Sequence, residues 1–305
     1  MKKLIFIIFI FNVALIGSAD KNDLFIENLK IRKFILGEIV IEKKYTTANL
    51  FDSFRVSYNS DGLRQYALLN IPNSDKKKYP VIIVCHGYIS PEKYSTEKSY
   101  SLVTDYYSKN DFIVIKPDYR GHNYSEIDTV DNLSRLAYAV DVLNLIYSIA
   151  SIEKADNENI FLYGHSMGGE VILKVMEVYE NIRAASLWAP VSKEFPESVL
   201  YFRSKSDKSA RDSLQKEWDA TFTVEDYYKL SPTNYLKYIK APIILHHGTL
   251  DDSVPYKWSE ELVKLFDTAK INYKFYSYSD DHNFAQKYFY IVLKRDVEFF
   301  QSYLY

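Results

Sequence analysis

From residue 80 onward the chain alternates short, continuous apolar runs with longer stretches of three- and four-residue periodicity. The runs "PVIIVC", "FIVIKP", "NIFLYG", "AASLWA", "PIILHH" and "YKFYSY" are β-branched or aromatic and suit strands buried on both faces. Helical patterns separate most of them. Over residues 131–150, Leu133, Leu136, Ala137, Val140, Leu143 and Tyr147 form one apolar stripe. Further helices are expected from Gly168 to about Tyr179, from about Lys257 to Phe266, and from Phe284 to about Tyr303. This alternation predicts right-handed crossovers and a mostly parallel, doubly wound α/β sheet. Ligands of such sheets sit beyond the carboxyl ends of the strands, so chemistry is sought where the runs finish.

Two regions depart from this rhythm. Residues 24–71 carry alternating stretches such as "EIVIE" and "SFRVSY", which suit edge strands, and "NSDG" at 59–62 announces a hairpin before "LRQYALLNIP". Residues 192–240 hold helical fragments and many charges but no strand pattern, and are expected to form a short helical cap inserted between two strands. No linker rich in Pro, Gly or Ser divides the chain, so residues 20–305 are expected to be one domain.

At the N-terminus, Lys2 and Lys3 precede an apolar stretch from Leu4 to Ile16, interrupted by Asn12, and "GSAD" follows with small residues at Gly17 and Ala19. That order predicts a secretory signal over residues 1–19, cleaved after Ala19, and hence a periplasmic or extracellular protein; an uncleaved membrane anchor is the alternative. Cys85 is the single cysteine, so no internal disulfide forms. A formal charge of −2 gives no basic footprint for nucleic acid. The 28 tyrosines accompany many Lys, Ile and Asn, a composition that A/T-rich codons explain.

"LYGHSMGG" at 162–169 sets Gly164-His165-Ser166-Met167-Gly168 where a strand run ends and a helical pattern begins. A G-x-S-x-G serine in that context sits on a sharp, strained turn that exposes its hydroxyl, and the flanking glycines leave the room the turn needs. A serine hydroxyl needs a base, and the base an acid to orient it. "IILHHGTLDDSVP" offers Asp251 and Asp252 just past one strand, and "YKFYSYSDDHNF" offers His282 just past the next. The chain order Ser, Asp, His fits a nucleophile-elbow hydrolase. Adjacent His246 and His247 would point to opposite faces of a strand, so joint metal binding is not expected, and no cofactor is implied.

With "VIIVCHGY", "KPDYRGHNYS", "LYGHSMGG", "PIILHHGTLDDSVP" and "SDDHNF" in hand, the chain resembles the α/β-hydrolase superfamily over roughly residues 60–305. Within it, it is similar to the catalytic domain of the prolyl oligopeptidase family of serine peptidases and to related esterases. The resemblance implies a triad of Ser166, Asp251 and His282. In the family pattern H-G-x-x-D-x-x-V-P the acid aligns with Asp251, leaving Asp252 as a loop cap. It also implies oxyanion donors at the backbone N–H groups of Tyr88 and Met167. Asp118 and Arg120 would fasten the "KPDYRGHNYS" loop, in which Asn123 replaces the family's second glycine. His122 is a substrate-contact candidate there, and His86 is assigned a structural hydrogen bond.

Together these features predict an exported serine hydrolase acting on a small-molecule ester or a peptide through an acyl-enzyme. A carboxylesterase or lipase-like enzyme, or an acyltransferase, on the same fold fits the same residues. A non-catalytic binding protein on that fold is a further alternative.

Overall fold

The computed structural model describes residues 20–47, 50–127 and 134–305; the expected signal segment and residues 128–133, Leu133 among them, lie outside this range. After the short helix α1 (Ile26–Ile31) come three strands, β1 (Val40–Thr47), β2 (Phe51–Ser60) and β3 (Leu63–Pro72), paired antiparallel. Asp61 and Gly62 alone connect β2 to β3, with φ of 54° and 86°. Two successive positive φ values match the twist of a tight hairpin, which explains an Asp-Gly pair there.

The remainder alternates as the pattern requires. β4 (Tyr79–Cys85), α2 (Ser101–Lys109), β5 (Ile113–Pro117), α3 (Tyr138–Ser148), β6 (Ala155–His165), α4 (Met167–Val178) and β7 (Ala184–Trp188) follow in order. Three helices, α5 (Glu197–Ser206), α6 (Lys208–Thr221) and α7 (Val224–Leu230), separate β7 from β8 (Ile243–Gly248). α8 (Tyr256–Ala269), β9 (Tyr273–Tyr278) and α9 (Phe289–Gln301) complete the described chain.

The strands form one sheet in the order β1-β2-β3-β5-β4-β6-β7-β8-β9, parallel from β5 through β9, an α/β-hydrolase architecture. Alternate strand residues bury opposite faces. Val81, Ile83 and Leu162 pack with Leu143, Ile172 and Phe266 from α3, α4 and α8. Ile82, Val84 and Phe161 pack with Val103 from α2 and Leu293 and Phe300 from α9. Strands covered on both sides need apolar residues at every position, which is why their runs are continuous.

Three elements differ from the sequence reading. β9 is the sheet edge and is mostly half-exposed, because no further described strand pairs with its outer side, whereas its aromatic run suggested full burial. α9 starts at Phe289 instead of Phe284, because the Asp280 carboxylate gathers the backbone N–H groups of Gln286, Lys287 and Tyr288 at 2.9–3.1 Å into a loop. α2 was not anticipated: two of its four buried residues, Thr104 and Ser108, are polar, so its apolar stripe is too thin to read.

Candidate active site

Ser166 joins the end of β6 to the start of α4 with φ 56° and ψ −119°, an unfavourable conformation for a residue with a Cβ. Its N–H donates to the Trp188 carbonyl at 2.9 Å, and its own carbonyl accepts from Gly169 and Val191. The turn is possible because its neighbours lack side chains. A β-carbon on Gly164 would lie 2.6 Å from the Gly168 carbonyl oxygen, and one on Gly168 only 2.0 Å from that of Cys85. The strain at Ser166 is therefore maintained by close backbone packing on both sides, and the side chain is left at the end of the sheet.

Asp251 stands three residues beyond β8, and His282 four beyond β9. Asp251 Oδ1 accepts the N–H groups of Ser253 (2.8 Å) and Val254 (2.9 Å), so the loop folds around the carboxylate. Asp251 Oδ2 accepts from His282 Nδ1 at 2.7 Å and from His247 Nε2 at 3.0 Å. Burial opposes its ionisation, but the hydrogen bonds and charges of His247 and His282 outweigh burial and hold the carboxyl well below the usual carboxylate range. With Nδ1 donating to Asp251, neutral His282 presents a free lone pair on Nε2. Asp252 is exposed, and its carboxylate accepts from the Ser253 hydroxyl at 3.2 Å, with neither histidine as a partner among the described residues.

Ser166 and His282 both line a recess of about 410 Å³, with Tyr88, Tyr100, Tyr163, Trp188 and Phe289. No described side chain hydrogen-bonds Ser166 Oγ. Catalytic hydrogen bonds are often long until substrate engages, so geometry of this kind remains competent. The backbone of Gly87 and Tyr88 passes beside the serine: a β-carbon on Gly87 would lie 3.1 Å from Ser166 Cβ. Neither the Tyr88 nor the Met167 N–H donates to another described residue, and Met167 is the first residue of α4, where helix donors lack partners. The Tyr88 ring is exposed, and Met167, itself buried, does not line the recess. A larger cavity of about 800 Å³, between the N-terminal segment and the β2–β3 turn, contains none of these residues.

Two histidines of the motifs acquire roles that sequence reading missed. His247 donates through Nε2 to both Asp251 and the Val254 carbonyl (3.2 Å) and accepts the Ser259 hydroxyl at Nδ1 (2.6 Å), so it braces the acid from behind. His165 donates through Nε2 to the His282 carbonyl at 3.1 Å and accepts the Tyr100 hydroxyl at Nδ1. Tyr100 Oη in turn accepts the Gly87 N–H at 2.8 Å. One chain of hydrogen bonds thus ties the Gly87–Tyr88 backbone to the loop carrying His282. Burial, and secondly the neighbouring His282 charge, push His165 down to about 3, so it works as a neutral imidazole. Both histidines lie inside motifs, where their spacing could have marked them; Tyr100 and Phe289 leave no such signal.

The "KPDYRGHNYS" loop is pinned from below. Arg120 pairs with buried Asp141 through Nε (3.0 Å) and Nη2 (2.7 Å), and Asp118 accepts from Tyr94 (2.9 Å) and Thr96 (2.5 Å). Burial pushes the Asp118 carboxyl up to about 6. Asn123 takes φ 50°, a conformation that asparagine tolerates nearly as well as glycine. His122, expected to meet substrate, is buried, does not line the recess, and hydrogen-bonds the carbonyl of Ile89, which does, at 3.1 Å. His86 is fully buried, with Nδ1 donating to the Gly87 carbonyl at 2.7 Å. From the helices between β7 and β8, Tyr201 and Phe202 cover Trp258, and Lys205 Nζ donates to the carbonyls of Asp252 (2.7 Å) and Ser253 (3.1 Å), so α5 is fastened to the acid loop.

Known proteins are similar to this chain in sequence and in fold. The family model of the prolyl oligopeptidase family matches residues 98–305. Dipeptidyl peptidase 4 of Sus scrofa is 28% identical over 229 residues, which are 72% of this chain but 28% of that protein; the chain thus spans under a third of the length of this curated relative. Among solved structures, acetyl xylan esterase 1 from Thermoanaerobacterium superposes with a TM-score of 0.68 at 17% identity, covering 92% of this chain and 93% of that one. Porphyromonas gingivalis dipeptidyl peptidase 4 gives 0.62 at 16% identity, covering 86% of this chain and 41% of that one. At such identities the structures establish the fold, while the family model covers most of the chain. A strained serine between β6 and α4, followed along the chain by an acid and a histidine that meet beyond β8 and β9, is thus carried by a member of the prolyl oligopeptidase family.

Proposed function

We propose that the protein is an exported serine hydrolase that cleaves ester or peptide bonds through Ser166, His282 and Asp251. The observation that carries this reading is the 2.7 Å bond from His282 Nδ1 to Asp251, with Ser166 held at positive φ in the same recess. His282 Nε2 removes the Ser166 proton as Oγ attacks the substrate carbonyl, and the Tyr88 and Met167 N–H groups receive the developing oxyanion. His282 then protonates the leaving group, and water releases the acyl group by the reverse sequence. Asp251 holds the useful tautomer and stabilises the imidazolium.

A panel of p-nitrophenyl acyl esters and aminoacyl and prolyl p-nitroanilides, run on wild type and Ser166→Ala, tests this. Wild type is expected to turn over at least one set, with Ser166→Ala retaining only the roughly 10³–10⁴-fold acceleration over water that binding and oxyanion donors supply. A fluorophosphonate should label Ser166 and nothing else; an unlabelled protein would be a binding protein on this fold. Among the described residues no helix is long and apolar enough to cross a membrane. Export is tested by sequencing the N-terminus of protein recovered outside the cytoplasm, which should begin at Asp20.

A further inference from the structure

Beyond the catalytic groups, the recess has walls with their own chemistry. It is bounded by Tyr100 and Val103 at α2, by Tyr163 on β6, by Trp188 at the end of β7 and by Phe289 at the start of α9. Among the described residues, no Asp, Glu, Lys or Arg lines it. A charged group entering it would lose water without gaining a counter-ion, a large cost, whereas a neutral ring gains edge and face contacts with four aromatic walls.

The hydroxyl inventory of those walls is unequal. Tyr100 Oη is fully used, accepting from Gly87 and donating to His165. Tyr163 is buried to 1% exposure and lines the recess, yet its hydroxyl bonds to no described residue and is not among the polar atoms sealed from solvent. It therefore opens onto the recess. Its ring is fixed: it lies 5.2 Å from the Trp188 ring and 5.9 Å from the Tyr107 ring, and both neighbours donate to the buried Asp296 carboxylate, at 2.9 and 2.8 Å. Burial raises the Tyr163 phenol well above its ordinary range, so it stays protonated and able to donate. Apart from the candidate catalytic Ser166 and His282, the recess thus offers a rigid aromatic wall with an unsatisfied hydroxyl, and apolar surface with a few polar groups is the usual composition of a small-molecule subsite.

Building on the hydrolase reading, we propose that this recess is the specificity subsite for a neutral aryl group of the substrate, with Tyr163 Oη hydrogen-bonding a hydroxyl or carbonyl carried on the ring. The substrates favoured are then uncharged hydroxyaryl esters. Groups bearing an ammonium or carboxylate next to the scissile bond are disfavoured.

Binding to the full-length Ser166→Ala protein separates this subsite from the chemistry. Methyl benzoate and its 3- and 4-hydroxy derivatives are titrated by calorimetry. At least one hydroxy ester should bind tighter than methyl benzoate by about 3- to 10-fold, the size of one neutral hydrogen bond. Adding Tyr163→Phe should erase that preference. Adding Val103→Phe, which fills the slot, should weaken all three by at least about 10-fold. Should Val103→Phe fail to fold, as judged by circular dichroism, the Tyr163→Phe comparison decides alone. Equal binding of hydroxy and plain esters, a preference that survives Tyr163→Phe, or unchanged binding in folded Val103→Phe overturns the proposal. Failure of the hydrolase reading shows separately, as wild-type Ser166 that fluorophosphonate does not label.

Discussion

Adjacent histidines on β8 serve two buried aspartates that do opposite work. His247 donates to Asp251 at 3.0 Å on the rim, and His246 donates to Asp296 at 3.0 Å inside the core. Asp296 also accepts from Ser186 (2.7 Å), Tyr107 (2.8 Å) and Trp188 (2.9 Å), so every donor around it is a fixed side chain packed between the sheet, α2 and α9. Asp251 instead accepts two backbone N–H groups and a second histidine whose side chain is 13% exposed. The same chemical pair is thus a packing device where all partners are sealed, and a candidate catalytic device where one imidazole keeps an open nitrogen at a recess. Solvent access to a single ring separates the two.

Substitutions at both aspartates put this contrast at risk. Asp251→Asn should leave the fold intact and lower kcat by about 10⁴-fold, because the amide favours the wrong His282 tautomer. A loss of only a few-fold in steady-state assays would remove Asp251 from the mechanism. Asp296→Ala should act on stability instead, by about 3–5 kcal/mol in urea denaturation, since it strands four buried donors at once. If that variant were as stable as wild type but inactive, the rim and core assignments would need to be exchanged.

Smaller effects sharpen the same comparison. His247→Ala removes one hydrogen bond to a charged carboxylate, about 1.5–3 kcal/mol, and should lower kcat about 10- to 100-fold with little change in KM. An unchanged kcat with altered Tm would make His247 purely structural. His165 supplies one part of the pH dependence, beside buried His86 and His122, which burial also pushes down. The folded-state value of His165 is depressed from 6.5 to about 3, so the unfolded chain binds the extra proton between these values. Its contribution is complete above pH 6.5 and is lost as pH falls toward 3, at up to roughly 1.4 kcal/mol per pH unit. Denaturation at pH 4–7 should show this slope in wild type and a shallower one in His165→Gln.

The continuous apolar runs made the parallel strands legible, because burial on both faces leaves polar residues nowhere to go. The Asp-Gly turn did the same for the β2–β3 hairpin, through its two positive φ values. α2, the true start of α9 and the edge position of β9 were not legible, since each depends on which neighbour covers it or on one carboxylate, Asp280, gathering a loop. His122 shows the same limit at the site: its motif position suggested substrate contact, but packing turned it to the Ile89 carbonyl.

What the sequence by itself determined is the set of local constraints: strand and helix periods, the glycines that allow Ser166 its turn, and the order of Ser166, Asp251 and His282 at strand ends. Those follow from backbone sterics and burial within a few residues. Only the tertiary structure decided the long-range partners: His247 behind Asp251, Tyr100 and His165 linking Gly87 to the His282 loop, and an aromatic recess assembled from α2, β6, β7 and α9. Such contacts join residues far apart in the chain, and their hydrogen bonds leave no period or spacing by which a linear pattern could announce them.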